Sequence, residues 1–212
     1  MSNKFVFNQL IKDIACEYWL KMLGGHVTHD NGDYSRNNEL AMIMADLCAS
    51  KNKPTQEQLD IFKKEFHIEL DKEIEKYGSL GRVDLYCDYG PGLVLHNAAE
   101  KAGIDDFCFP FKMGIFLQSN AIIESKPYAR LGTKQRIIYC TRDYIEQRIK
   151  RSEEELVRYQ DPNHKVFGDR DSIIQDIKDE IKIYKDILAN MGDEYVRDDF
   201  KDFVRNYKLN LK

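Results

Sequence analysis

Val83-Asp84-Leu85-Tyr86-Cys87-Asp88-Tyr89-Gly90-Pro91-Gly92, running into Leu93–Ala102 and Gly103, is where the chain changes its period. Val83, Leu85 and Cys87 alternate with Asp84, Tyr86 and Asp88, the two-residue repeat of a half-buried strand. Tyr89-Gly90-Pro91-Gly92 reads as a turn, with Pro91 placed for the first turn of the helix Leu93–Ala102, which Gly103 ends. Downstream, Lys112–Leu117 and Ala121–Ser125 flank Gln118-Ser119-Asn120 and predict a hairpin. Gln135–Cys140 offers a further partner strand. A strand, a helix and then a meander describe a small α+β unit.

On either side the period returns to helical. Phe7, Leu10, Ile11, Ile14, Tyr18 and Met22 form one stripe that Gly24-Gly25 stops. Glu39–Ala49 reads as a short apolar helix. Thr55 and Gln58, behind Pro54, have the spacing of a capping box, and Leu59, Phe62, Phe66, Leu70 and Ile74 continue the helix it opens. After residue 140, Ile145, Ile149, Ser152, Leu156 and Tyr159 form one seam, and Ile174, Ile177, Ile181, Tyr184, Leu188 and Met191 a second. The break from Asp161 to Asp169 between them predicts an antiparallel helical hairpin. Val196, Phe200, Phe203 and Tyr207 predict one more helical segment. The expected fold is therefore α+β. A small antiparallel sheet core (residues 80–140) sits with an N-terminal helical layer (1–80) in a domain spanning 1–140, and a helical hairpin appendage spans 141–212.

Composition narrows the class of protein without naming a function. The 212 residues are 42% apolar and include 11 Phe, 12 Tyr and 1 Trp, too rich in core formers for a disordered chain. No run approaches the length and apolarity of a membrane span, and the first residues lack a secretory apolar region, so a cytoplasmic protein is expected. The five cysteines are widely spread and never spaced as C-x-x-C, which argues for buried thiols over disulfides or a zinc ribbon. The net charge of −4 argues against a general nucleic-acid coat.

Three stretches carry chemistry-bearing residues. His26, His29, Asp30 and Asp33 place two imidazoles and two carboxylates in one loop. That donor set suits a metal in a phosphoesterase or nucleotide-processing enzyme, while Asn31-Gly32 is also plain turn chemistry. Cys87 stands before a helix N-terminus, where free amides stabilise a thiolate, and His96 lies along that helix as a candidate base; a buried cysteine in a tight turn is the alternative. Lys126, Arg130, Lys134, Arg136 and Arg142 form an acid-free basic run with Tyr128 and Tyr139 among them. Alternation would put Lys134 and Arg136 on one strand face, fit for nucleic-acid backbone or an acidic protein surface. The helical seams pack within the chain or, alternatively, form a homodimer.

Asp88-Tyr89-Gly90-Pro91, Ala98-Ala99-Glu100-Lys101-Ala102-Gly103-Ile104 and Phe109-Pro110-Phe111-Lys112-Met113 together resemble uncharacterised phage and prophage accessory proteins, over about a quarter of the chain. The resemblance implies no catalytic residue and no cofactor. It implies a setting, in which small mobile-element proteins bind and block host defence proteins, CRISPR nucleases among them. The expectation is a non-enzymatic, anti-CRISPR-like binding protein with a host protein or ribonucleoprotein as partner. The metal-dependent phosphoesterase and the nucleic-acid-binding module stand as alternatives.

Overall fold

The computed structural model describes residues 9–25, 53–77, 83–88, 90–110, 113–125 and 136–210. Among them are six helices and five strands: α1 (Gln9–Leu23), α2 (Gln56–Tyr77), β1 (Val83–Cys87), α3 (Leu93–Ala102), β2 (Met113–Gln118), β3 (Ala121–Ser125), β4 (Arg136–Thr141), α4 (Arg142–Gln160), α5 (Arg170–Asn190), β5 (Glu194–Val196) and α6 (Lys201–Leu209). The strands form one antiparallel sheet in the order β1-β2-β3-β4-β5. The α+β class, the N-terminal helices and the C-terminal hairpin are as the sequence led us to expect. The chain divides into two compact units, Met1–Ser119 and Asn120–Lys212, at the turn between β2 and β3. The expected helix over 39–49 lies outside the described residues.

The first unit is built around an aromatic core. Trp19, Tyr18, Phe62 and Phe66 are fully buried. Trp19 meets Tyr18 edge-on at 5.3 Å between ring centres and Phe109 at 6.0 Å, and Phe62 reaches the same Phe109 at 6.0 Å. Both N-terminal stripes thus face one core, with Phe109 touching a ring from each. The capping box at the start of α2 is closed in both directions: Thr55 Oγ1 accepts from the Gln58 amide at 3.2 Å, and Gln58 Oε1 accepts from the Thr55 amide at 3.0 Å.

One local detail departs from the sequence reading. The turn after β1 closes on the strand before any helix begins. Pro91 bridges back to Cys87, the Gly92 amide donates to the Tyr86 carbonyl at 2.8 Å, and α3 starts at Leu93, so Pro91 is no part of its first turn. In β2, Gly114 pairs with Tyr86, and a Cβ there would stand 2.7 Å from that of Tyr86. Only a residue without a side chain lets the two strands approach that closely.

In the second unit one sheet face packs against the hairpin. Ala121, Ile123, Ile137 and Cys140 meet Tyr144, Ile145, Ile149 and Tyr184, with Ile187, Leu188, Met191 and Tyr195 around them. The heptad-like seams close on each other and on the sheet. Ile137, Ile138, Tyr139 and Cys140 are all buried, so beyond Arg136 strand β4 is covered on both faces and shows no exposed polar face. Val196 is a second correction. It belongs to strand β5, whose Glu194, Tyr195 and Val196 pair with Thr141, Cys140 and Tyr139, and helix proper resumes only at Lys201. Three residues are too short for alternation to register in a sequence; an open edge on β4 makes them a strand.

Candidate functional site

The residues singled out in the sequence fare unequally. His26, His29, Asp30 and Asp33 lie outside the described residues, as do Lys126, Tyr128, Arg130 and Lys134. Arg136 opens β4 opposite Glu124. Arg142 opens α4, and its guanidinium donates to the carbonyls of Met191 at 2.8 Å and Gly192 at 3.2 Å, at the C-terminal end of α5. There a cation meets both unsatisfied carbonyls and the negative end of the helix dipole.

Cys87 ends β1 and is buried, and burial pushes its thiol well above the usual range. Cys16 and Cys140, also buried, are pushed up to about 12 for the same reason. A thiol held protonated is no nucleophile at neutral pH. His96 turns to Asp106, with Nδ1 2.9 Å from a carboxylate oxygen.

Two charge clusters brace the units from within. On α2, buried Glu69 accepts from Lys101 at 2.8 Å, Lys72 at 2.7 Å and Asn97 at 3.1 Å. The hydrogen bonds from Lys101, Lys72 and Asn97, in that order, hold its carboxyl down at about 2, against an ordinary 4.5. Its contribution is present above the unfolded value and is lost as pH falls toward 2. Nearby, burial lowers the His67 imidazole, so this group too favours the unfolded chain as acid is added. Thermal melts should therefore show stability falling from about pH 6 downward, and in Glu69→Gln the loss between about pH 5 and 2 should flatten.

Within the hairpin, Arg148 donates to Glu180 at 2.6 Å and to the Tyr184 hydroxyl at 3.3 Å, while Ser152 and Tyr184 both donate to Glu180. Among the described residues, the buried Tyr144 hydroxyl has no hydrogen-bond partner. The two tyrosines therefore predict opposite signs. Tyr144→Phe removes an unsatisfied hydroxyl and should raise stability by about 1 kcal/mol, whereas Tyr184→Phe should lower it by about 1 kcal/mol. Paired denaturant titrations decide this.

The outer half of the hairpin is different in kind. None of residues 153–176 is buried. At its end one side chain gathers the carbonyls of the loop between α4 and α5. Arg170 donates to the carbonyl of Tyr159 at 2.9 Å and to those of Asp161, Pro162 and His164. Asp161 accepts from the Asn163 amide at 2.9 Å, the His164 ring stands edge-on to Tyr159, and Asp169 caps α5 through the Asp171 amide. Arg170 occupies the first position of α5, the wrong end of the dipole for a cation, and these carbonyls are what offset that cost.

This braced loop presents Phe167, 99% exposed, with Val157 69% exposed in the last turn of α4. Gly168, at φ +109°, makes the bend beside the phenyl ring, a conformation that side chains other than hydrogen resist. Sequence reading passed over both Phe167 and Arg170, because 161–169 signals a break and nothing more. The available signal was an aromatic inside a polar turn, followed by an arginine where a helix start favours an acid.

No family model, curated protein or solved structure matches this chain. Among the described residues, no helix is long and apolar enough to cross a membrane.

Proposed function

We propose that this chain is a non-enzymatic binding protein, an inhibitor that a phage or other mobile element uses to block a host defence nuclease. The observation that carries the reading is the outer half of the α4–α5 hairpin. It has no buried residue, yet it is cross-linked internally by Arg170 and ends in a solvent-exposed aromatic. Holding a phenylalanine in water on an ordered loop costs solvation and chain entropy, and binding a partner offsets both. The likeness of the 88–113 stretch to phage accessory proteins supplies the setting.

The test is cleavage of labelled DNA by a panel of purified, guide-loaded CRISPR nucleases, with the chain added at increasing ratio. The expected result is dose-dependent loss of cleavage by at least one member near equimolar ratio. Full cleavage across the panel in the presence of folded protein overturns the proposal. Reversing Lys126, Arg130, Lys134 and Arg136 to Glu separates the basic segment from the arm. Inhibition kept by that variant assigns the contact to the hairpin, and inhibition lost assigns it to the basic segment.

A further inference from the structure

We propose that the hairpin tip is the anchor of this chain, and that it fits an apolar pocket with a basic rim on a protein partner. The inference rests on the binding reading above and adds to it the contact surface and the chemistry of the partner. Three independent features of the tip point the same way.

The first is preorganisation. A mobile phenylalanine would lose its binding free energy to ordering, whereas this one sits on a loop already fixed by four carbonyl contacts from Arg170 and the Asx turn at Asp161. The second is exposure. At 99%, Phe167 has its whole ring available to be buried, and an aromatic fully desolvated at the centre of an interface is the usual form of a hot spot.

The third is charge. Residues 153–179 hold eight acids and four bases, a net of −4, which equals the formal charge of the entire chain. One of the four bases, Arg170, is spent on the loop. Glu154 lies one helical turn before Val157 on the same face of α4, so an acid adjoins the exposed apolar residue there.

Charge also selects the occupant. A second copy of this chain would bring two acidic collars together, and an anionic membrane or a nucleic acid would meet the same repulsion. A protein groove lined with lysine and arginine attracts the collar and speeds encounter, and an apolar pocket within it takes the ring. Such a groove is the kind that holds a polyanion, which is consistent with a nuclease as target.

The experiment uses the full chain and the inhibited nuclease from the panel above, with binding followed by surface plasmon resonance at several salt concentrations. Phe167→Ala should weaken binding by about thirtyfold or more, mostly through faster dissociation. Glu154→Gln should slow association and reduce its salt dependence, with dissociation little changed. Arg170→Ala should weaken binding while leaving the emission of Trp19, which lies in the other unit, unaltered.

Binding unchanged in Phe167→Ala, with the wild-type chain still inhibiting, overturns this inference and leaves the inhibitor reading standing. A wild-type chain that binds no nuclease in the panel overturns both. Two further results would also overturn it: a dimer by light scattering that Phe167→Ala abolishes, or uptake onto phosphatidylserine vesicles that Phe167→Ala abolishes.

Discussion

Trp19→Ala is expected to lower the stability of this chain by about 3–5 kcal/mol, the largest effect of any single truncation proposed for the first unit. The indole is fully buried and touches the rings of Tyr18 and Phe109. Phe109 in turn contacts Phe62, which contacts Phe66. Removing the ring opens a cavity among aromatics on α1, on α2 and in the segment before β2, elements that close in on it only partially. A loss of that size is a large fraction of the 5–15 kcal/mol typical of a whole domain.

The indole nitrogen is itself buried and has no hydrogen-bond partner among the described residues, so Trp19→Phe removes a cost along with the volume and should be markedly milder than alanine. Circular dichroism melts of the three proteins check the order. Equal losses for Phe and Ala would show that packing around the ring is not what holds the unit together. As the single tryptophan of the chain, Trp19 in the wild-type protein also reports unfolding of the first unit by its own fluorescence.

Arg197→Ala should cost about 3 kcal/mol in the second unit, by a different mechanism. Arg197 follows β5 directly and makes three kinds of contact. Its guanidinium donates to Glu124 at 2.8 Å and grips Asp199 through two nitrogens at 2.7 and 2.9 Å, and it stacks over the Phe200 ring at 5.4 Å. Glu124 is 6% exposed on β3, so taking away the guanidinium removes a countercharge from a buried carboxylate. Such a deletion costs far more than the loss of an exposed pair. Arg197→Lys keeps the charge but cannot address Glu124 and Asp199 together, and should recover less than half of the loss. Urea midpoints for the three proteins, followed by circular dichroism, measure this. A lysine variant as stable as wild type would reduce the contact to simple charge.

Much of the architecture is legible in the sequence alone. A capping box needs only two residues three apart, and Thr55 and Gln58 have that spacing whatever surrounds them. The hairpin seams likewise lie within single helices, where neighbours three and four residues apart share a face by geometry alone. What fails to appear in the sequence are features that need a partner from elsewhere. Strand β5 exists because β4 had an open edge. The basic segment read as an alternating strand face, but from Ile137 onward the strand is buried on both sides, so alternation has no meaning there.

The candidate site shows the same division. Residues 161–169 announce a turn through Pro162, Asn163 and Gly168, and local sequence fixes that a break occurs. Whether the break is loose or braced depends on Arg170 reaching back to carbonyls six to eleven residues earlier, which no periodicity records. Exposure is likewise a tertiary property. Phe62 and Phe167 are the same residue type, and one is fully buried while the other is 99% exposed.

Sequence by itself therefore determined most of the described helices, the capping box that opens α2, the glycine that ends α3, and that a strand module lies between the helical segments, because those outcomes follow from short-range sterics and hydrogen bonding. Tertiary structure alone decided the fifth strand, the commitment of Arg142 to the end of α5, the buried countercharge at Glu124, and the ring left standing in water at Phe167. Each of these is set by which distant group takes up the space or the hydrogen bond.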